Sequence, residues 1–209
     1  LRDGGYNNDW EFGHDTLINL FERSTSAGID FIEIGFIDDR RSFDINRSIM
    51  PNTESAAKIW GNLDKRSSKI VAMIDYGTCN IVNIEPRKDS FIDGIRVIFK
   101  MNLMHEALEY CNELMKLGYL VFAQGVSFTT YTEAKLNEII RVLNKIKPYA
   151  FSIVDTYGLM DMNLLNYYYE YLEKNLHPDI GIGFHAHNNF QLAFANCMQL
   201  ARNHGHKTR

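Results

Sequence analysis

The fold is indicated first by a short apolar run that contains a single acid, Phe31-Ile32-Glu33-Ile34-Gly35-Phe36. Similar runs, all rich in Ile, Val and Phe, recur along the chain. They lie at 70–74, 95–99, 119–124, 150–155 and 180–187. Strands that are buried on both faces form continuous apolar runs, whereas half-exposed strands alternate between apolar and polar residues. The series therefore predicts parallel strands in the interior of an α/β protein.

Amphipathic stretches with helical periodicity separate the apolar runs, which is the pattern of a βα series. They lie at 14–27, 54–64, 103–117, 131–146, 161–175 and 190–203. Thr130 and Glu133 have the spacing of a capping box at the fourth of these helices. We expect residues 1–4 to be the end of a further strand, which brings the strand count to seven. Because no linker interrupts the alternation, we predict a single catalytic domain over residues 1–209.

Consecutive right-handed βα units favour either a doubly wound sheet or a barrel, and periodicity alone does not separate the two. Polar residues at the strand ends favour the barrel, because a doubly wound sheet needs them only at its switch point. They are Asp3, Glu33, Asp75, Gln124, Asp155, His185 and His187. We therefore predict a TIM (β/α)8-type barrel. Such a barrel typically has about 250 residues, so we expect this one to be incomplete at its C-terminal end, with no eighth strand in 203–209.

The composition argues against several classes of function. The formal charge of the 209-residue chain is −4, so we expect no nucleic-acid partner. No apolar run approaches the ~18 residues of a membrane span and no signal peptide is recognisable, so we expect no membrane association and a cytoplasmic location. The three cysteines are far apart and odd in number, which argues against a disulfide framework and a zinc ribbon.

The most specific local signal is Gly183-Phe184-His185-Ala186-His187-Asn188-Asn189. Residues two apart on a strand share a face, so His185 and His187 project together and can take neighbouring positions on a metal ion. A pair of hydrogen-bonded histidines without an ion is the alternative. The end of an apolar strand in a βα series favours the metal interpretation, and a facing carboxylate would favour it further.

Asp3 can supply that carboxylate, because Leu1-Arg2-Asp3-Gly4-Gly5 places it at a predicted strand end before two glycines that allow a tight turn. A structural Arg2–Asp3 ion pair is the alternative interpretation.

Four motifs together resemble the metal-dependent branch of the pyruvate carboxyltransferase-like superfamily. They are Arg2-Asp3-Gly4, Ile32-Glu33-Ile34-Gly35, Asp155-Thr156-Tyr157-Gly158 and His185-Ala186-His187. Members of this HMG-CoA lyase-like family include 3-hydroxy-3-methylglutaryl-CoA lyase, isopropylmalate and homocitrate synthases, and 4-hydroxy-2-oxovalerate aldolase. The motifs span nearly the whole chain in the order that the family shows.

The resemblance implies a TIM barrel in which Asp3, His185 and His187 hold a divalent metal, Mn²⁺, Mg²⁺ or Zn²⁺. It also implies that the metal acts as a Lewis acid on a 2-oxo acid, while Arg2 stabilises the enolate that develops. Asn189 would orient the metal ligands by hydrogen bonds without binding the metal itself, unless it caps the following helix.

Other polar residues are candidates for contact with the substrate. Glu33 lies inside an apolar strand, so we expect it to be paired, either with Arg2 or at the substrate. Asp155 and Thr156 are predicted to line the substrate pocket. The long polar segment 38–53 carries three arginines and is either a lid that grips a substrate carboxylate or a solvated loop.

One departure from the family bears on the reaction. Family aldolases carry a histidine base three residues after the metal aspartate, where this chain has Tyr6. A tyrosine with an ordinary pKa near ~10 is a poor base at neutral pH, so Tyr6 is predicted to donate a hydrogen bond instead. His14 is then the remaining candidate for the base.

The resemblance thus predicts a divalent-metal-dependent carbon–carbon lyase of the aldolase type, similar to 4-hydroxy-2-oxovalerate aldolase. It would act on a small-molecule 2-oxo acid through a metal-stabilised enolate. The alternatives are a Claisen-type acyl-CoA synthase or lyase, a non-haem iron site with the same ligands, and a degenerate barrel without turnover. The family also implies either a homo-oligomer or association with an aldehyde dehydrogenase subunit.

Overall fold

The computed structural model describes residues 2–204, which form an α/β protein of parallel strands and intervening helices. The strands are β1 (Phe31–Ile37), β2 (Ile49–Met50), β3 (Lys69–Asp75), β4 (Gly94–Phe99), β5 (Leu120–Gly125), β6 (Ala150–Asp155) and β7 (Gly181–Ala186). The helices are α1 (His14–Ser26), α2 (Glu54–Trp60), α3 (Met104–Lys116), α4 (Glu133–Ile146), α5 (Met162–Asn175) and α6 (Ala193–His204). The predicted βα alternation is confirmed.

The strands follow one another in the order β2-β1-β3-β4-β5-β6-β7. The contacts divide the chain into two compact units, a first unit of Leu1–Val97 with Glu113–Val121 and a second of Ile98–Asn112 with Phe122–Arg209. The single domain over 1–209 stays a prediction.

In the first unit, β1 pairs in parallel with both β3 and β2. Gly35 makes the pairing with β2 possible, because a Cβ atom there would lie 1.8 Å from the carbonyl oxygen of Ser48. The Gly35 φ of +150° also belongs to the region that favours glycine. The close approach lets the Phe36 N–H donate to Ser48 O at 3.0 Å. A strand of only two residues therefore joins the sheet inside the segment that the sequence indicates as a polar loop.

In the second unit, β6 pairs in parallel with β7 over the whole length of both strands and with residues 122–125 of β5. The apolar stripe of α4 is buried and consists of Leu136, Ile139, Ile140 and Leu143. The capping box at Thr130 is wrong by two residues. Thr132 is the N-cap and its side chain accepts from the Lys135 N–H, whereas the Thr130 hydroxyl donates to Ser127 O.

The strand predicted at 1–4 is wrong for residues 2–4, and Leu1 lies outside the described residues. Asp3–Asn7 is a 3₁₀ helix, in which each backbone N–H bonds three residues back, as Gly5 N does to Arg2 O. This turn requires glycine at position 5, because the Cβ atom of any other residue there would lie 2.0 Å from the Trp10 ring. The sequence predicts no eighth strand in the tail 203–209. Residues 205–209 of this tail lie outside the described residues.

Two further expectations from the composition concern membrane-spanning helices and disulfides. No helix among the described residues is long and apolar enough to cross a membrane. Cys79, Cys111 and Cys197 are all free thiols. Burial raises the pKa of Cys111 to about 12, so this thiol stays protonated at neutral pH.

Candidate functional site

The first unit contains a cluster of two arginines and two acids, Arg2, Asp3, Glu33 and Arg96, which we call the arginine–carboxylate cluster. Arg2 is buried, and its Nε donates to Glu33 Oε2 at 2.9 Å, while its Nη1 donates to Asp3 Oδ1. Arg96 donates from Nη1 to the other Glu33 oxygen, Oε1. The predicted pairing of Glu33 with Arg2 is confirmed, and contact between Glu33 and a substrate stays a prediction.

Aromatic residues fix the backbone that carries Arg2. The Trp10 indole donates from Nε1 to Arg2 O at 2.9 Å. Its ring makes T-shaped contacts with the rings of Tyr6 and Phe36, whose centroids are 4.9 and 5.4 Å away. Because Phe36 belongs to β1, these contacts anchor the N-terminal 3₁₀ helix to the sheet.

The two candidates for the base lie in different places in the first unit. Tyr6 packs on Trp10, and desolvation of its hydroxyl raises the Tyr6 pKa. A raised pKa keeps the phenol protonated at neutral pH, which favours the predicted role as a hydrogen-bond donor. His14 begins α1, where its backbone N–H donates to Asn46 Oδ1. Its role as a base stays a prediction.

The second unit contains the two histidines, which we call the histidine pair. His185 lies on β7 opposite Val154 of β6, and His187 follows the strand end. Their ring centroids are 4.8 Å apart and both side chains are half-buried. The His187 Nδ1 lies 2.8 Å from Asp155 O. If Nδ1 donates this bond, Nε2 is the unprotonated nitrogen, which is the form in which a histidine binds a metal.

Asp155 shapes the loop that follows β6. It is buried, and its two carboxylate oxygens accept the N–H groups of Leu159 and Met160, each at 3.0 Å. The Asp155 carbonyl oxygen meanwhile faces His187. One residue therefore holds both its own loop and a histidine of the pair. Contact between Asp155 and a substrate stays a prediction.

Thr156 and Asn189 occupy neighbouring loops of the second unit. The Thr156 hydroxyl accepts the Ser127 N–H at 2.7 Å, so it links the loop after β5 to the loop after β6. Asn189 is exposed and its backbone nitrogen lies close to Gly158. The capping role falls to its neighbour, because Asn188 Oδ1 accepts the N–H of Ala193 at the start of α6. Roles for Thr156 and Asn189 in ligand binding stay predictions.

The three arginines of segment 38–53 are paired with acids of the first unit. Arg40 donates from Nε and Nη2 to the two carboxylate oxygens of Asp38. Arg41 and Arg47 both donate to Asp9. With these partners the arginines tie the segment to its own unit, an arrangement that favours the loop interpretation over the lid.

Arg96 is the residue of these groups that the sequence analysis missed. Its signal was present, because it is a charged residue inside the apolar run 95–99, the same pattern that drew attention to Glu33. A charge inside a buried strand requires a partner of opposite charge, and for Arg96 that partner is Glu33.

Parallel βα units with polar side chains in and after their strands define an α/β fold of the TIM-barrel enzyme type. The chain belongs to the HMGL-like family, whose model matches residues 1–207. The predicted resemblance is therefore confirmed.

The chain is also similar to individual relatives. It is 22% identical to 4-hydroxy-2-oxovalerate aldolase 2 of Salinispora arenicola, over 97% of this chain and 58% of that protein. The chain thus spans little more than half the length of this curated relative.

Similar solved structures show the same fold. One is the N-terminal domain of a proposed aldolase from Bacteroides vulgatus, with a TM-score of 0.73 and 19% identity over 97% of this chain and 67% of that one. Another is HMG-CoA lyase of Bacillus subtilis, with a TM-score of 0.65 and 16% identity over 90% and 65% of the two chains. A third is an HMG-CoA lyase from Acinetobacter baumannii in complex with coenzyme A and 3-methylmalate, with a TM-score of 0.63 and 11% identity over 91% and 65%.

Proposed function

We propose that this chain is the catalytic part of a divalent-metal-dependent carbon–carbon lyase that splits a 4-hydroxy-2-oxo acid into pyruvate and an aldehyde. The observation that carries the proposal is the histidine pair, whose His187 is oriented by a backbone carbonyl as metal-binding histidines are. Membership of the HMGL-like family and the similarity to an aldolase support the same class of reaction.

The metal ligands that we propose are Asp3, His185 and His187. The resemblance to the family supports this set, and so does the closeness of the two histidine rings within the second unit, whose centroids are 4.8 Å apart. The donors fit a divalent metal, because one carboxylate and two imidazoles suit Mn²⁺ or Zn²⁺ and also permit Mg²⁺. When bound, the metal supplies Lewis-acid polarisation of the substrate's 2-oxo group.

Arg2 is proposed to stabilise the charge that develops in the cleavage. The C3–C4 bond breaks, its electron pair passes toward the 2-oxo oxygen to form an enolate, and the 4-hydroxyl proton leaves to a base as the aldehyde departs. Protonation at C3 then gives pyruvate. The Arg2 guanidinium, held by Glu33 and Asp3, donates hydrogen bonds to the enolate oxygen. Tyr6, protonated at neutral pH, adds a donor, and His14 is the proposed base.

A product assay tests the reaction. The protein is incubated with Mg²⁺, Mn²⁺ or Zn²⁺ and 4-hydroxy-2-oxovalerate, and pyruvate is measured. We expect pyruvate with metal and none after chelation. Release of CoA from acetyl-CoA and a 2-oxo acid, without pyruvate formation, would favour the Claisen-type reaction instead. Absence of both products with all three metals contradicts both.

Metal analysis of variants tests the ligands. Asp3→Ala and His185→Ala should each lose bound metal and lower kcat/KM by about 10³-fold, because each removes a ligand. His105→Ala is the matched control, since His105 is exposed and bonds only to Glu138 among the contacts that the structure shows. Metal retained equally in both ligand variants contradicts the assignment, whereas a parent protein that binds no metal supports the degenerate barrel. The cytoplasmic location, the homo-oligomer and the aldehyde dehydrogenase partner stay predictions.

A further inference from the structure

We propose that Arg96 is a positioning residue that holds the Arg2 guanidinium in its productive orientation through Glu33. The inference rests on the proposed function, which assigns Arg2 to the enolate oxygen. Its geometric basis is the division of one carboxylate between two guanidiniums. Glu33 Oε2 accepts from Arg2 Nε at 2.9 Å, and Glu33 Oε1 accepts from Arg96 Nη1.

Burial makes this division matter. The side chains of Arg2, Glu33 and Arg96 are 8%, 16% and 19% exposed. Little water reaches these three side chains, so a Glu33 oxygen that lost its guanidinium donor would be costly unless it found another. Arg2 is the donor already in contact with Glu33.

Arg96 therefore decides how Arg2 binds Glu33. With Oε1 taken by Arg96, Arg2 uses its Nε for Oε2 and keeps Nη1 on Asp3. Without Arg96, both oxygens of Glu33 can take the two-bond fork that guanidinium and carboxylate groups prefer. Forming that fork rotates the guanidinium toward Glu33 and draws Nη1 away from Asp3. Arg2 would then be misdirected although its charge remains.

Two other roles for Arg96 make different predictions. An arginine that binds the substrate directly would raise KM when it is replaced, whereas misdirection of a group that acts in the transition state lowers kcat. If Arg96 acts independently of Glu33, replacing Arg96 lowers the activity of the enzyme by the same factor whether or not Glu33 is present. A double-mutant cycle separates this case, since residues that act through one another are not additive.

The kinetic experiment uses Arg96→Gln, Arg96→Lys, Glu33→Gln and the double variant Glu33→Gln/Arg96→Gln. We expect Arg96→Gln to lower kcat about tenfold or more with KM within about threefold. Arg96→Lys keeps a charged donor and should stay within about threefold of the parent kcat. In the Glu33→Gln background, Arg96→Gln should add less than about threefold. The double variant also removes both half-buried charges of the pair, so it serves if the single change fails to fold.

A matched control and a second readout complete the test. Arg87→Gln removes a guanidinium from an ion pair with Asp93 elsewhere in the first unit and should leave kcat unchanged. In protein labelled with ¹⁵N-arginine, the Arg2 Nε–H signal, assigned by its loss in Arg2→Lys, should move in Arg96→Gln and stay in place in Arg96→Lys and Arg87→Gln. If the parent protein has no lyase activity, the proposed function fails and this signal alone decides the inference. An Arg2 signal that does not move in folded Arg96→Gln overturns it, as does a KM effect without a kcat effect.

Discussion

The arginine–carboxylate cluster and the histidine pair are held by different parts of the polypeptide. In the cluster, charged side chains hold one another, since Glu33 binds the guanidiniums of both Arg2 and Arg96. In the histidine pair, a backbone group holds His187. His187 contacts the carbonyl of Asp155, and the carboxylate of Asp155 accepts two backbone N–H groups of its own loop.

Because they are held differently, the two groups should tolerate different substitutions. The cluster depends on the balance of charge in a partly buried place, so removal of one charge leaves its partners with less compensating charge. The surroundings of the histidine pair depend on the course of the loops after β6 and β7, so changes in backbone conformation are the greater threat there. Each group should therefore be sensitive to a different kind of substitution.

The largest effect is expected from Glu33→Ala, which breaks the cluster. The change leaves two poorly hydrated guanidiniums without their shared carboxylate and should lower the free energy of unfolding by about 3–5 kcal/mol. Chemical denaturation measures this loss. Glu11→Ala is the matched control, because Glu11 pairs with Arg47 at an exposed position and such pairs contribute little. Equal losses in the two variants would show that charge in the cluster has no special weight.

A smaller loss is expected from Gly158→Ala, which tests the backbone of the second unit. Gly158 has a φ of +64°, and a Cβ there would lie 2.6 Å from the backbone nitrogen of Asn189. Strain and this contact together should cost about 2–3 kcal/mol. Gly77→Ala separates the two causes, since Gly77 has a φ of +94° and open space around its Cβ position. It should lose only about 1 kcal/mol. Equal losses would assign the whole effect to backbone strain.

The strands β1 and β3 to β7 could be predicted from the sequence because each is a continuous apolar run. The two strand errors have a common cause, which is that local pattern does not show tertiary packing. Ile49-Met50 is too short to give a periodic signal and joins the sheet only because Gly35 has no side chain. Residues 2–4 begin a 3₁₀ helix instead of a strand, and Trp10 packs in the space beside Gly5.

The candidate site residues differ in the same way. Residues two apart on a strand share a face, so the proximity of His185 and His187 could be predicted from local pattern alone. The pairing of Arg2 with Glu33 could be expected because a buried acid needs a partner. The contacts of Asp155 could not be predicted, since its carboxylate accepts from residues whose position depends on a turn at Gly158.

The smallest effect is expected at Asp38, which lies outside both groups. It tests whether an ion pair with an exposed guanidinium affects stability as strongly as the arginine–carboxylate cluster does. Hydrogen bonds from the Arg40 side chain hold the pKa of Asp38 below its usual value of 3.8. A lowered folded-state pKa stabilises the protein fully above the unfolded pKa, and this stabilisation is lost as the pH falls through the folded value. Between pH 6 and pH 3 the parent should therefore lose Tm more steeply than Asp38→Asn, by about 3 °C over the range.

Arg40→Gln is the control for this titration. It removes the guanidinium and should remove the same steepness from the Tm curve while leaving the carboxyl in place. The effect should be small because the side chain of Arg40 is 65% exposed, so water and salt screen the pair. Parallel Tm curves for the parent and Asp38→Asn would contradict the lowered pKa. If Arg40→Gln lowered the free energy of unfolding as much as Glu33→Ala, burial would not be what makes the arginine–carboxylate cluster sensitive to charge.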